Sequence, residues 1–334
     1  MSKSLPNYPT LNKQAHLFHS YLRTMVQTLI KVNSSSEVVV NFGPELRTFN
    51  VLQAIGLAGS TFILFTAVFS SVPRQATWYN FFICWIIFCI SNLLLLFAGH
   101  AFDGNPDVPL CVAQSALTYA ASPLCSAAAL ALVIQLYLNI RTSLNLELNR
   151  VLRHRHFPKL LLISPYVIYV VVIIESLSLS YATPESRFFA LASCSLEDYV
   201  PDRIAAAIVI ILVAPILGLN VVVYLIFRKN WVLLRKGNYT SMFVRVSAFT
   251  LFGLITVIVG ALFFLLAFID PGSANKSLVA LDIIYATIPV AGVCIFGSHK
   301  DLLHVCLFWR NRPNTSNENL ITVMPSQRDT LRTV

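Results

Sequence analysis

The chain is 334 residues long, 56% hydrophobic and only 12% charged, with a formal net charge of +9. So much apolar side chain exceeds what a soluble core of this size uses, and composition places the chain in a membrane. The basic residues are spread over connections and gather in no single patch, which argues against nucleic acid as a partner.

Residues 1–49 read as a polar segment. They contain no compact apolar run followed by a small-residue cleavage site, and they carry Lys3, Lys13, Arg23, Lys31 and Arg47. The first apolar helix is therefore expected to act as its own insertion signal. Asn33-Ser34-Ser35 is a glycosylation sequon, a weak motif on its own, and Leu17 to Val32 reads equally as an amphipathic helix or a flexible stretch.

A helix needs about 20 predominantly apolar residues to cross the hydrocarbon core. Seven stretches meet this, near 50–71, 80–99, 112–140, 160–180, 204–227, 246–269 and 278–298, and their only Asp, Glu, Lys or Arg residues are Glu175 and Asp282. The fold class expected is an all-α membrane protein, a seven-helix transmembrane domain over 50–298. A cytoplasmic amphipathic helix and polar tail follow over 299–334.

Loop charge orients the bundle. Arg141, Arg150, Arg153, Arg155 and Lys159 lie between spans three and four, and Arg228, Lys229, Arg235, Lys236 and Arg245 lie between five and six. The opposite connections hold Asp103, Asp107, Glu185, Glu197, Asp198 and Asp202. Positive charge next to a membrane stays on the cytoplasmic side, so the N-terminus is expected outside and the C-terminus in the cytosol.

Cys111 begins the third span and Cys194 sits in the connection before the fifth, both on the expected outer side. There a disulfide would tie the loop over the bundle, the alternative being two unpaired thiols. Cys84, Cys89, Cys125 and Cys294 fall within apolar runs and read as packing residues. Without a CxxC pair, a structural zinc site is not expected, and no cofactor is implied.

Seven spans, an outer N-terminus and a cysteine at the head of span three with a partner before span five resemble a G protein-coupled receptor over about residues 45–310. The stretch His299-Lys300-Asp301-Leu302-Leu303-His304-Val305-Cys306-Leu307-Phe308-Trp309-Arg310 is similar to the eighth helix of such receptors, with Cys306 a candidate for palmitoylation or an unmodified thiol. Span three ends Gln135-Leu136-Tyr137-Leu138-Asn139-Ile140-Arg141 in place of an acid-Arg-Tyr triplet. Span six has no proline, and span seven has Pro289 without Asn-Pro-x-x-Tyr. The chain thus departs from the rhodopsin-like pattern, and its texture, including Phe296-Gly297-Ser298, resembles divergent fungal seven-helix orphan receptors. The resemblance implies a plasma-membrane receptor that binds an extracellular ligand and acts on a heterotrimeric G protein.

Candidate site residues follow from charge and depth. Acids within a bilayer are costly and turn toward the bundle interior. Glu175 late in span four, Asp282 early in span seven and His100 closing span two all fall in the expected outer half and are candidate ligand contacts, against the plainer reading of interfacial or structural polar residues. Arg141, Arg153, Arg235, Lys236 and Arg245 are candidate G protein contacts, although topology alone also explains their charge. Pro123, Pro165, Pro215 and Pro289 interrupt four spans and permit local bends. Asn92, Gln114, Asn220 and Tyr285 are candidates for an interior polar network.

The alternative function is a small transporter or channel, in which Glu175 or Asp282 would line a pathway. An enzyme is not expected. Every histidine other than His100 lies in a tail or loop, no Gly-x-Ser-x-Gly occurs, and span seven has no lysine for a retinal Schiff base.

Overall fold

The computed structural model describes residues 43–69, 74–100, 108–144, 157–182, 187–189, 194–196, 200–230, 239–269 and 274–297. Asn33, Arg153, Arg235, Lys236, Cys306 and the expected amphipathic helix at 299–310 lie outside them. The helices are α1 (Gly43–Phe69), α2 (Ala76–Asn92), α3 (Leu94–Phe97), α4 (Val108–Ser143), α5 (Phe157–Ala182), α6 (Val200–Lys229), α7 (Tyr239–Ile269) and α8 (Ala274–Gly297). Strands β1 (Arg187–Phe189) and β2 (Cys194–Leu196) form an antiparallel hairpin between α5 and α6 that pairs Phe188 with Ser195.

Six of these helices are long and apolar enough to cross a membrane, as in a multi-pass membrane protein. Helices serve here because a bilayer offers no water to backbone groups, and each must be satisfied within its own segment. Hydroxyls in the spans obey the same constraint. Thr66, Ser91, Thr142, Thr250 and Thr256 donate to the carbonyls of Phe62, Ile87, Leu138, Val246 and Phe252, four residues back.

The second apolar stretch differs from expectation. α2 is 17 residues long, short of the other six. Leu93, at φ −90° and ψ 4°, leaves helical geometry and separates α2 from α3. Asn92 beside it donates its side-chain amide to the Phe88 carbonyl. Gly99 then stops the chain. Its φ of +81° lies where glycine alone is comfortable. The His100 N–H reaches the Leu95 carbonyl and the Gly99 N–H the Leu96 carbonyl, a Schellman closure.

The bundle is inside-out by soluble standards. Val51, Phe62, Phe65, Ile163, Val167, Val171, Ile210 and Ile211 face outward, each more than half exposed, whereas Gln53, Asn80, Asn92, Gln114 and Ser115 are buried. α4 is its axis, packing on α2, α5 and α6 and touching α7. Of its apolar stretch 56% is buried, against 11% for α6 and for α7. Small residues explain this, since Ala120, Ala121, Ala127, Ala128 and Ala131 are buried and let neighbouring backbones approach. At 36 residues and 1.5 Å per residue, α4 is about 54 Å long, so it tilts within or projects beyond a hydrocarbon core of about 30 Å.

An aromatic cluster fills the space between α2, α7 and α8. Phe81 is fully buried, with its ring centroid 5.3 Å from those of both Phe249 and Phe296, and Trp85 packs 5.8 Å from Phe249. Asn80 ties α2 to α5, accepting from the Tyr166 hydroxyl at 2.6 Å and donating to the Leu162 carbonyl at 3.3 Å.

Candidate functional site

Five helices enclose a cavity of about 410 Å³, within the 300–1,000 Å³ usual for small-molecule sites. Its walls follow helical spacing. α4 contributes Ser122, Cys125, Ser126 and Ala129, α6 contributes Val209, Val213 and Ile216, and α8 contributes Leu281, Asp282, Ile284, Tyr285 and Ile288. Each set falls at intervals of three and four residues, one face of a helix. α7 adds Phe249, Thr250, Gly253, Leu254, Thr256 and Val257, and α2 adds Trp85 and Phe88.

The cavity lies on the loosely packed side of the bundle. α7 runs along α8 but touches α4 and α6 at few points. A Cβ built on Gly253 would meet nothing within 4 Å. Val257 lines the cavity and is 48% exposed, so the space opens sideways through the outward apolar face that also carries Ile210, Ile211 and Ile258.

Polar groups are few. Tyr285 and Ser122 share a hydrogen bond between their hydroxyls, joining α8 to α4. Thr250 accepts from the Asn220 side-chain amide at 3.4 Å, joining α7 to α6. Among the described residues of the lining, Asp282 is the one formally charged side chain, with no Lys, Arg or His. Among the described residues Asp282 makes no hydrogen bond or ion pair. Asp202, exposed in the first turn of α6, is a second carboxylate within electrostatic reach of Tyr285.

No protein-family model matches the sequence, and no curated protein matches it.

Of the three candidate ligand contacts, only Asp282 lines this cavity. Glu175 is on α5, which packs against α4 and adds nothing to the wall. Its carboxylate accepts instead from the adjacent Ser176 hydroxyl at 3.4 Å. His100 follows the α3 cap, also outside the lining. The expected polar network resolves into separate links. Gln114 donates to the Asn92 backbone carbonyl at 3.4 Å, while Asn220 and Tyr285 pair with Thr250 and Ser122. Sequence reading missed Ser122, Ser126, Thr250 and Thr256, although the 122/126 spacing on one face was a usable signal.

At the opposite end of the same helices, Arg141 in the last turn of α4 donates to the Tyr137 hydroxyl at 2.8 Å and lies over its ring at 5.7 Å. Arg245 is in the first turns of α7, and Arg228 and Lys229 close α6. Cys84, Cys89 and Cys125 are buried free thiols and Cys294 an exposed one, a set that does not include Cys111. β2, which begins at Cys194, packs against α4, which carries Cys111. Among the described residues no group of His, Cys, Asp and Glu is placed to hold a metal ion.

Proposed function

We propose that the chain is a G protein-coupled receptor-like signalling receptor of the plasma membrane, which binds an extracellular ligand in the cavity beside Asp282 and acts on a heterotrimeric G protein. The reading takes α2 and α3 together as a seventh crossing. It places the hairpin outside, with a Cys111–Cys194 bond holding it on α4, and the end bearing Arg141 and Arg245 in the cytosol.

The observation that carries the proposal is the cavity itself, ligand-sized and bounded by four long helices that each continue to the basic end. A ligand seated between α6 and α7 adds contacts that those helices do not make with each other. It therefore stabilises one arrangement over another and shifts the population at the far ends.

A G protein recruitment assay in cells tests this. Wild type is expected to recruit on stimulation or constitutively. Cys111→Ser is expected to lose ligand response, and Arg141→Ala recruitment. Equal signals from all three proteins, or none from any, would sink the receptor reading. Solute flux into proteoliposomes, lost on Asp282→Asn, would replace it with a transporter.

A further inference from the structure

Every cavity surface has to be reconciled with the cost of Asp282. A lone carboxylate in an apolar setting is expensive in either state unless something pairs with it. Among the described residues Asp282 has no partner, and the described lining offers no base. Around it the wall is valine, isoleucine, leucine and aromatic rings. The opening beside Val257 gives onto a face suited to lipid tails. A ligand matching all three features is mostly apolar, carries one cationic group, and comes from within the bilayer.

We infer that the cavity takes a membrane-partitioning amine, whose ammonium pairs with Asp282 and whose apolar body lies between α6 and α7. The inference rests on the receptor reading only for its consequence; binding itself does not depend on it. The Ser126 hydroxyl lines the same space and can meet the remaining polar edge of such a ligand, while those of Ser122 and Thr256, bonded to Tyr285 and to the Phe252 carbonyl, keep a lone pair to accept with. A carboxylic acid of the same shape would bring like charge to Asp282, and an alcohol would bury the same apolar area without the charge pair.

The test uses the full chain in nanodiscs, with empty nanodiscs subtracted, and three probes sharing one tail: decylamine, decanol and decanoic acid. Saturable binding is expected for the amine, about tenfold tighter than for the alcohol, and weakest for the acid. Asp282→Asn is expected to abolish the preference for the amine while the alcohol still binds, which shows that the cavity persists. Gly253→Phe, which fills it, is expected to remove both. Should Asp282→Asn lose the alcohol as well, Asp282→Glu decides. With the charge kept it is expected to prefer the amine, and alcohol binding without that preference overturns the proposal. Equal amine and alcohol affinity in wild type, or an undiminished amine preference in Asp282→Asn, overturns it too. Amine binding that never alters G protein recruitment would refute the receptor reading and leave this site standing. Recruitment by another ligand with no amine preference would do the reverse.

Discussion

Replacing Gly59 by alanine tests a close approach of two helices, α1 and α8. A Cβ at this position would lie 2.6 Å from Val293 Cγ1, 2.8 Å from Cγ2 and 3.2 Å from Cβ. Rotating the valine does not resolve the clash, because its χ1 is stiff in a helix and its Cβ stays put. The helices must then move apart, and overpacking of this kind costs about 1–3 kcal/mol. Alanine's better helix propensity returns up to about 1 kcal/mol, so a net loss of about 1–2 kcal/mol is expected. Gly218→Ala is the control. Nothing lies within 4 Å of its added Cβ, and it should be neutral or slightly stabilising. Reversible unfolding in mixed micelles gives the energies, and the double variant Gly59→Ala/Val293→Ala gives the coupling. Removing both methyls leaves only the 3.2 Å contact, so the double variant should be more stable than the sum of the singles by about 1 kcal/mol. Gly59→Ala as stable as Gly218→Ala, or strictly additive singles, would refute the account of this interface.

Three further outcomes follow from the interior polar groups. Asn80→Ala should cost about 1–3 kcal/mol in the same assay, because it removes the Tyr166 hydroxyl's short acceptor and the side-chain bond to the Leu162 carbonyl, with Tyr166→Phe costing less. Gln53 is fully buried with neither side-chain polar atom hydrogen-bonded, so Gln53→Leu should be neutral or stabilising; a loss above about 1 kcal/mol would show that the amide has a partner or a ligand. Ser122→Ala and Tyr285→Phe remove the same hydrogen bond, and a double-mutant cycle should return a coupling of about 0.6 kcal/mol, the average for such bonds in membranes. Strict additivity there would mean that the two hydroxyls act independently.

Six of the seven expected spans were legible because a bilayer writes its thickness into the sequence as long uncharged runs. Gly99 was equally readable as a stop, but the break at Leu93 was not, since Leu and Asn92 look ordinary in an apolar stretch. Site residues were harder, for a geometric reason. Charge placement in the chain gives only an expected depth along a helix, the outer half for Glu175, His100 and Asp282 alike. It does not give the direction each faces, which depends on how α4, α5 and α8 pack. α5 lies against α4 away from α6 and α7's gap, so Glu175 meets Ser176 while Asp282 meets open space.

That difference also marks the part of the bundle that its own contacts hold least. Around α4, alanines and the Asn80 and Gln114 links hold α2, α4 and α5 close, and each displacement there breaks packing that has no replacement. Between α6 and α7 few contacts exist, with one long hydrogen bond from Asn220 to Thr250 beside the cavity and, at the far end, the stacked rings of Phe227 and Phe243, 4.4 Å apart. Segments with few buried contacts open at the lowest cost, and functional motion is drawn from them. The cavity, its unpartnered carboxylate and the side opening all fall on this weakly held seam. An occupant there would supply contacts where the protein supplies fewest, so its affinity would be felt mainly in the relative positions of α6 and α7. Those two helices carry Arg228, Lys229 and Arg245 at the far end.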